Sequence, residues 1–168
     1  TVVVPLSASH VVEKIAEKYG GNVIRSKTST QDIMYKLVEN DKHKMLDQFI
    51  LYFDAMGGLV KILEFMESNK CKLSEMVDEI PSFYLNKQEV ECPWNSKGKV
   101  IREIIQEQGA ETIETTEGVK IYKDEGWVLI LPDAELPICK VISESYSAEF
   151  AEELSTAYAD KIRQISKN

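Results

Sequence analysis

Short β-branched runs alternate with helically spaced apolar residues over the first part of the chain. Val2, Val3 and Val4 make an apolar run closed by Pro5, which predicts a short strand. Val11, Val12, Ile15, Ala16 and Tyr19 recur at helical spacing, with Ser7 or Ser9 as N-cap and Gly20-Gly21 as the stop. Val23-Ile24 predicts a second strand. Thr28, Ser29 or Thr30 then caps a helix carrying Ile33, Met34, Leu37 and Val38. Beyond the polar residues 40–44, residues 49–53 predict a third strand, and Leu59, Ile62, Leu63 and Met66 predict a long helix with one apolar face. Strands separated by helices of this length imply crossovers and a mixed, largely parallel sheet.

The pattern then changes. Leu73, Met76, Val77 and Ile80 predict a short helix stopped by Pro81, and residues 83–90 read as an extended segment that could cross between lobes. From Ser96 a helix carries Val100, Ile101, Ile104 and Ile105 and ends at Gly109. Closely spaced strands follow at 112–115, 119–122, 127–131 and 139–142, with Glu117-Gly118 and Glu125-Gly126 as turns, which favours antiparallel hairpins. A final helix carries Phe150, Leu154, Ala157, Tyr158, Ile162 and Ile165 on one stripe. The expected organisation is therefore an α/β lobe over residues 1–70, then a linker with a short helix over 71–95. An α+β lobe, an antiparallel four-stranded sheet with two helices, follows over 96–168. Trp127 is expected on a central strand, partly buried.

Charge narrows the partners. A net charge of −8 disfavours nucleic acid and acidic membrane surfaces, whose binding draws on clustered Lys and Arg. No apolar run approaches the ~20 residues of a spanning helix. Cys71, Cys92 and Cys139 are three, far apart and in no C-x-x-C pair, which fits reduced, mostly buried thiols and the cytoplasm. With His10 and His43 as the only histidines, a closed four-ligand zinc site is not expected. The start Thr1-Val2-Val3-Val4 reads as a piece of something longer, already inside a strand.

Familiar catalytic motifs do not occur. There is no G-x-S-x-G. Ser9-His10 are neighbours only in sequence, and Ser9 reads better as a helix cap. Ser96-Lys97-Gly98-Lys99 resembles a phosphate loop superficially but lacks the leading glycine and the closing Ser or Thr. Glu144, Glu149, Glu152 and Glu153 read as a solvated helix start, and Asp32 and Asp54 stand isolated. No catalytic residue is assigned from chemistry alone.

Three segments carry a resemblance: Gly118-Val119-Lys120-Ile121-Tyr122, Gly126-Trp127-Val128-Leu129-Ile130-Leu131-Pro132, and Pro137-Ile138-Cys139-Lys140-Val141. They resemble the C-terminal lobe of the α-D-phosphohexomutases, the phosphomannomutase and phosphoglucomutase family, in which G-V-K-x-x and G-W-V-L-V-R-P strands lead into a phosphate loop R-P-S-G-T-E-P. Residues 2–9, 20–27 and 59–64 resemble the family's third domain. The resemblance implies the third and fourth domains of a four-domain enzyme of carbohydrate metabolism. The phosphoserine loop and the metal-binding aspartates, and with them Mg²⁺, would belong to domains outside this sequence; no cofactor is expected in this chain.

The loop itself departs from the family. Leu131-Pro132-Asp133-Ala134-Glu135-Leu136-Pro137 keeps only the two prolines. A carboxylate ~4 Å from a phosphate charge costs about 4 kcal/mol per charge pair at an effective dielectric of ~20. Residues 40–48 carry no sugar-reading G-E-x-S-G-H motif, so His43 receives no role. The substrate-binding candidates, all vestigial, are Lys27, which matches the family's active-site lysine, with Asp133, Glu135 and Lys140. The L-P-D-x-x-x-P variant is most similar to the mutase-like tail fused to sugar-1-phosphate nucleotidyltransferases of the mannose-1-phosphate guanylyltransferase type. That implies a degenerate module, inactive alone, whose partners are the parent's N-terminal domains or a second copy, with weak or no sugar-phosphate binding. A fragment of a working phosphohexomutase that supplies substrate-phosphate contacts, and an unrelated two-lobed binding domain, stay open as alternatives.

Overall fold

The computed structural model describes residues 1–40, 46–108 and 113–167; His43 and Gly109 lie outside them, and the side chain of Leu46 is not described. The chain divides into two compact units, Thr1–Pro81 and Ser82–Asn168.

In the first unit, strands β1 (Val2–Pro5) and β2 (Val23–Ser26) pair in parallel, with Val3 opposite Ile24. Helix α1 (Val11–Lys18) makes the crossover between them, as the spacing predicts. Its start is held by Ser9, whose hydroxyl accepts from the Val11 N–H at 3.0 Å. Helix α2 (Thr30–Glu39) is capped by Ser29, which accepts from the Asp32 N–H at 3.0 Å. Helices α3 (Leu46–Phe53), α4 (Ala55–Asn69) and α5 (Leu73–Asp78) follow. Asp54 is not isolated: its carboxylate caps α4 by accepting from the Gly57 N–H at 2.9 Å.

Two expectations fail here. The third strand expected at 49–53 is helix α3. Phe49 and Phe53, one helical turn apart, both pack on the Val3, Ile33 and Leu37 cluster, their rings 4.9 Å apart. Gln48 completes the arrangement. Its amide donates to the Val3 carbonyl and accepts from the Val3 N–H at 3.0 Å, standing in for a neighbouring strand's peptide unit. Among the described residues, the sheet of this unit therefore has two strands rather than a larger parallel set. The apolar side of α4 consequently points outward, with Leu59 and Leu63 more than half exposed.

The second unit is a five-stranded antiparallel sheet, not the four-stranded one expected. Residues 83–90 do not cross between lobes; strand β3 (Tyr84–Glu91) pairs along its whole length with β7 (Ile138–Ser145) and forms the sheet edge. The order is β3-β7-β6-β5-β4, with β4 Ile113–Glu114, β5 Val119–Lys123 and β6 Gly126–Pro132. Helices α6 (Trp94–Glu107) and α7 (Ala148–Lys167) bury Val100, Ile104, Leu154, Tyr158 and Ile162 against Val90, Val119, Ile121, Val128, Ile130 and Val141. Trp127 is on the central strand and is buried rather than half-buried.

The residues that carry the resemblance build this sheet. A Cβ on Gly126 would sit 2.1 Å from the Glu144 carbonyl oxygen, and one on Gly118, at φ +65°, would sit 2.1 Å from that of Ile130. Lys120 is fully buried, its ammonium 3.8 Å from the centre of the Trp127 ring.

Candidate functional site

Residues 131–137, the end of β6 and its connection to β7, are the stretch where the chain keeps a loop while changing its chemistry. Pro132 ends β6, and Asp133 follows. Its carboxylate does not point outward. Oδ1 accepts from the backbone N–H groups of Glu135 at 2.8 Å and Leu136 at 2.9 Å. Oδ2 lies 2.6 Å from the Lys140 ammonium. The Lys140 hydrogen bond first, and then the two amides, hold the Asp133 carboxyl well below the usual aspartate range. Asp133 raises the Lys140 pKa in return. Three donors thus converge on one internal anion, and successive backbone N–H groups with an ammonium are the donor set that would hold a phosphate oxygen.

A second lysine fixes the other side of the loop. Lys97, in the first turn of α6, is buried and donates to the carbonyls of Asp133 and Leu136, both at 2.5 Å. Its ammonium also stands 3.6 Å from the centre of the Trp94 ring. Lys97 binds carbonyls rather than phosphate, so the Ser96–Lys99 resemblance to a phosphate loop hid a structural staple.

Below the loop, Cys92 and Cys139 are buried and free. Burial, with Cys92 alongside, pushes the Cys139 thiol up to about 12. The Cys92 N–H donates to the Pro137 carbonyl at 2.8 Å, which closes the end of the loop.

Of the four sequence candidates, the structure brings Asp133 and Lys140 into contact. Glu135 contributes its backbone N–H while its side chain is exposed. Lys27 lies in the first unit, exposed, just past the end of β2. The neighbouring cation Arg25 is consumed structurally. Its five N–H donors go to the carbonyls of Pro5, Ala8 and Ser9 and, bidentately, to Glu13. Among the described residues, no three His, Cys, Asp or Glu side chains come together to hold a metal ion. None of the described helices is long and apolar enough to cross a membrane.

No protein-family model matches the sequence. Curated relatives do. A phosphoglucomutase/phosphomannomutase of Thermococcus kodakarensis is 30% identical over 90% of this chain and 35% of its own length. A probable phosphoglucosamine mutase of Methanopyrus kandleri is 28% identical over 97% of this chain and 38% of its own length. The chain thus spans little more than a third of these relatives. Among solved structures, a phosphoglucomutase/phosphomannomutase family protein of Burkholderia thailandensis superposes with a TM-score of 0.75 at 14% identity, covering 98% of this chain and 37% of that one. An Aspergillus fumigatus N-acetylphosphoglucosamine mutase, solved with GlcNAc-6P and magnesium, gives 0.65 at 12% identity, covering 98% and 39%. The sequence relatives are thus phosphohexomutases, proteins of the phosphoglucomutase/phosphomannomutase kind, to which nearly the whole of this chain is similar, and the structural neighbours of the same kind share its fold.

Proposed function

We propose that this chain is a phosphohexomutase-like module that turns over no sugar phosphate by itself, because Asp133 occupies the loop position a substrate phosphate would need. One observation carries the reading. The amides of Glu135 and Leu136 and the ammonium of Lys140 are already engaged by a carboxylate of the same loop. A second anion arriving there meets spent donors and like charge. Phosphoryl transfer depends mostly on positioning and charge stabilisation, so a closed loop removes a main contribution.

The relatives' greater length supports assigning the phosphoryl-carrying residues, and Mg²⁺ with them, to other parts of the parent protein. In our reading the parent is a cytoplasmic sugar-1-phosphate nucleotidyltransferase fusion of carbohydrate metabolism, as the L-P-D-x-x-x-P variant suggests. The module then serves contacts to the parent's other domains or to a second copy. A fragment of a working phosphohexomutase is the second reading, favoured by the ammonium that Lys140 keeps at the loop and by the relatives' names. A coupled assay interconverting mannose 1-phosphate and mannose 6-phosphate separates the two. The chain should stay at background, and the intact parent should do the same if its mutase part is degenerate. Turnover by the parent that is lost on Lys140→Ala would establish the second reading.

A further inference from the structure

Beside the closed loop lies an open cleft of about 610 Å³, lined by Glu91, Pro93, Trp94, Asn95, Pro137 and Ile138. All six belong to the second unit, and the volume falls in the ~300–1,000 Å³ range of sites that take compact groups. Its walls are preformed. Pro93 and Pro137 have fixed φ, and Lys97 ties the first turn of α6 to the carbonyls of Asp133 and Leu136. The Trp94 indole is 55% exposed although Lys97 covers part of it, so aromatic surface faces the solvent. Glu91 and Asn95 make no side-chain hydrogen bond or ion pair among the described residues. Glu89 lies two residues back on the same face of β3, and the exposed Glu135 lies on the adjoining loop. Of the cations nearby, Lys97 is committed to carbonyls, Lys140 to Asp133 and Arg163 to Asp160, while Arg163 and Lys167 line a neighbouring cleft that shares Glu91 and Pro93.

An exposed indole beside an unengaged carboxylate selects a flat cation. We propose that this cleft binds the guanidinium of an arginine presented by an extended segment of a partner protein. The guanidinium plane stacks on the open part of the Trp94 ring while its N–H groups meet the Glu91 carboxylate. A lysine ammonium, a compact point charge, meets the carboxylate without offering a plane to stack. The proline-walled cleft suits an extended, proline-flanked backbone on either side of the arginine. The same carboxylates turn away phosphate-bearing ligands. The inference does not depend on the catalytic fate of the parent protein.

The test is a titration of the ¹⁵N-labelled chain with an acetylated, amidated Pro-Pro-Arg-Pro-Pro peptide and with its citrulline counterpart, which keeps the shape and loses the charge. The Trp94 indole N–H signal should move saturably with the arginine peptide. The citrulline peptide should bind at least tenfold more weakly, and Glu91→Gln should reduce arginine-peptide binding by a similar factor without changing thermal stability. Equal binding of the two peptides would overturn the proposal. So would an Arg titration to about 5 mM that leaves the Trp94 signal in place, or a Glu91→Gln variant that binds as the wild type does.

Discussion

Replacing Lys97 by methionine isolates the staple that holds the 131–137 loop on α6. Methionine keeps most of the aliphatic stem and removes the ammonium. Lys97 is 8% exposed and donates two hydrogen bonds to carbonyl oxygens at 2.5 Å. Hydrogen bonds from a charged donor contribute about 1.5–3 kcal/mol each, and the ammonium over Trp94 adds about 0.5–2 kcal/mol. The Asp133 and Leu136 carbonyls sit in a surface loop and regain water when the lysine is gone, so only part of that sum is lost. The expected destabilisation is about 2–3 kcal/mol. Both tryptophans of the chain, Trp94 and Trp127, lie in the second unit, so a urea titration followed by their fluorescence reports that unit alone. The midpoint should fall with little change in slope. The Glu135 and Leu136 amide signals should shift as the loop loosens. A Lys97→Met variant within about 0.5 kcal/mol of the wild type, with those two signals unmoved, would refute the idea that Lys97 holds the loop.

Three further outcomes follow from the geometry. Gly126→Ala places a Cβ 2.1 Å from the Glu144 carbonyl oxygen and should cost the second unit about 3 kcal/mol or more; an unchanged thermal melt would show the strands can move apart freely. Because Asp133 titrates lower when folded than when unfolded, its contribution is present above about pH 4 and is lost only as pH falls through the folded value. Its ¹³C carboxyl signal should therefore stay that of the carboxylate from about pH 5 to pH 3, and a midpoint near 4 would contradict this. Burial and the neighbouring Cys92 keep the Cys139 thiol protonated, so iodoacetamide at about pH 8 should label Cys71 alone in the native chain, whereas a second adduct would show the buried pair is reachable.

Strands β5 to β7 were legible in the sequence because Gly118 and Gly126 sit at turns between apolar runs and because no Cβ fits there. Helix α3 was not. Its run of Phe49, Ile50, Leu51, Tyr52 and Phe53 has no polar break, and periodicity alone does not tell a short buried strand from a helix. What decides is long-range: Gln48 bonding Val3, and two phenylalanines reaching one cluster. Strand β3 was read as a connector because Lys87, Glu89 and Glu91 give it the polarity of a loop, which is also the polarity of an edge strand. At the site, the departures of Asp133 and Glu135 from the family pattern were visible, but the inward turn of the Asp133 side chain was not. Lys97 stands out in the sequence only within a superficial phosphate-loop resemblance; its structural role does not, since its partners stand 36 and 39 residues away and nothing local announces a buried lysine bonded to carbonyls.

The central claim is that Asp133 fills the anion position of the loop. Titrating mannose 6-phosphate or glucose 1,6-bisphosphate into the ¹⁵N-labelled chain tests it most directly, read at the amide signals of Glu135 and Leu136. With both amides engaged by Asp133, neither signal should show a saturable shift up to about 1 mM ligand, a free energy near −4 kcal/mol. Saturable movement of those two signals below that concentration would show that phosphate displaces the carboxylate, and that the loop still works as a phosphate site.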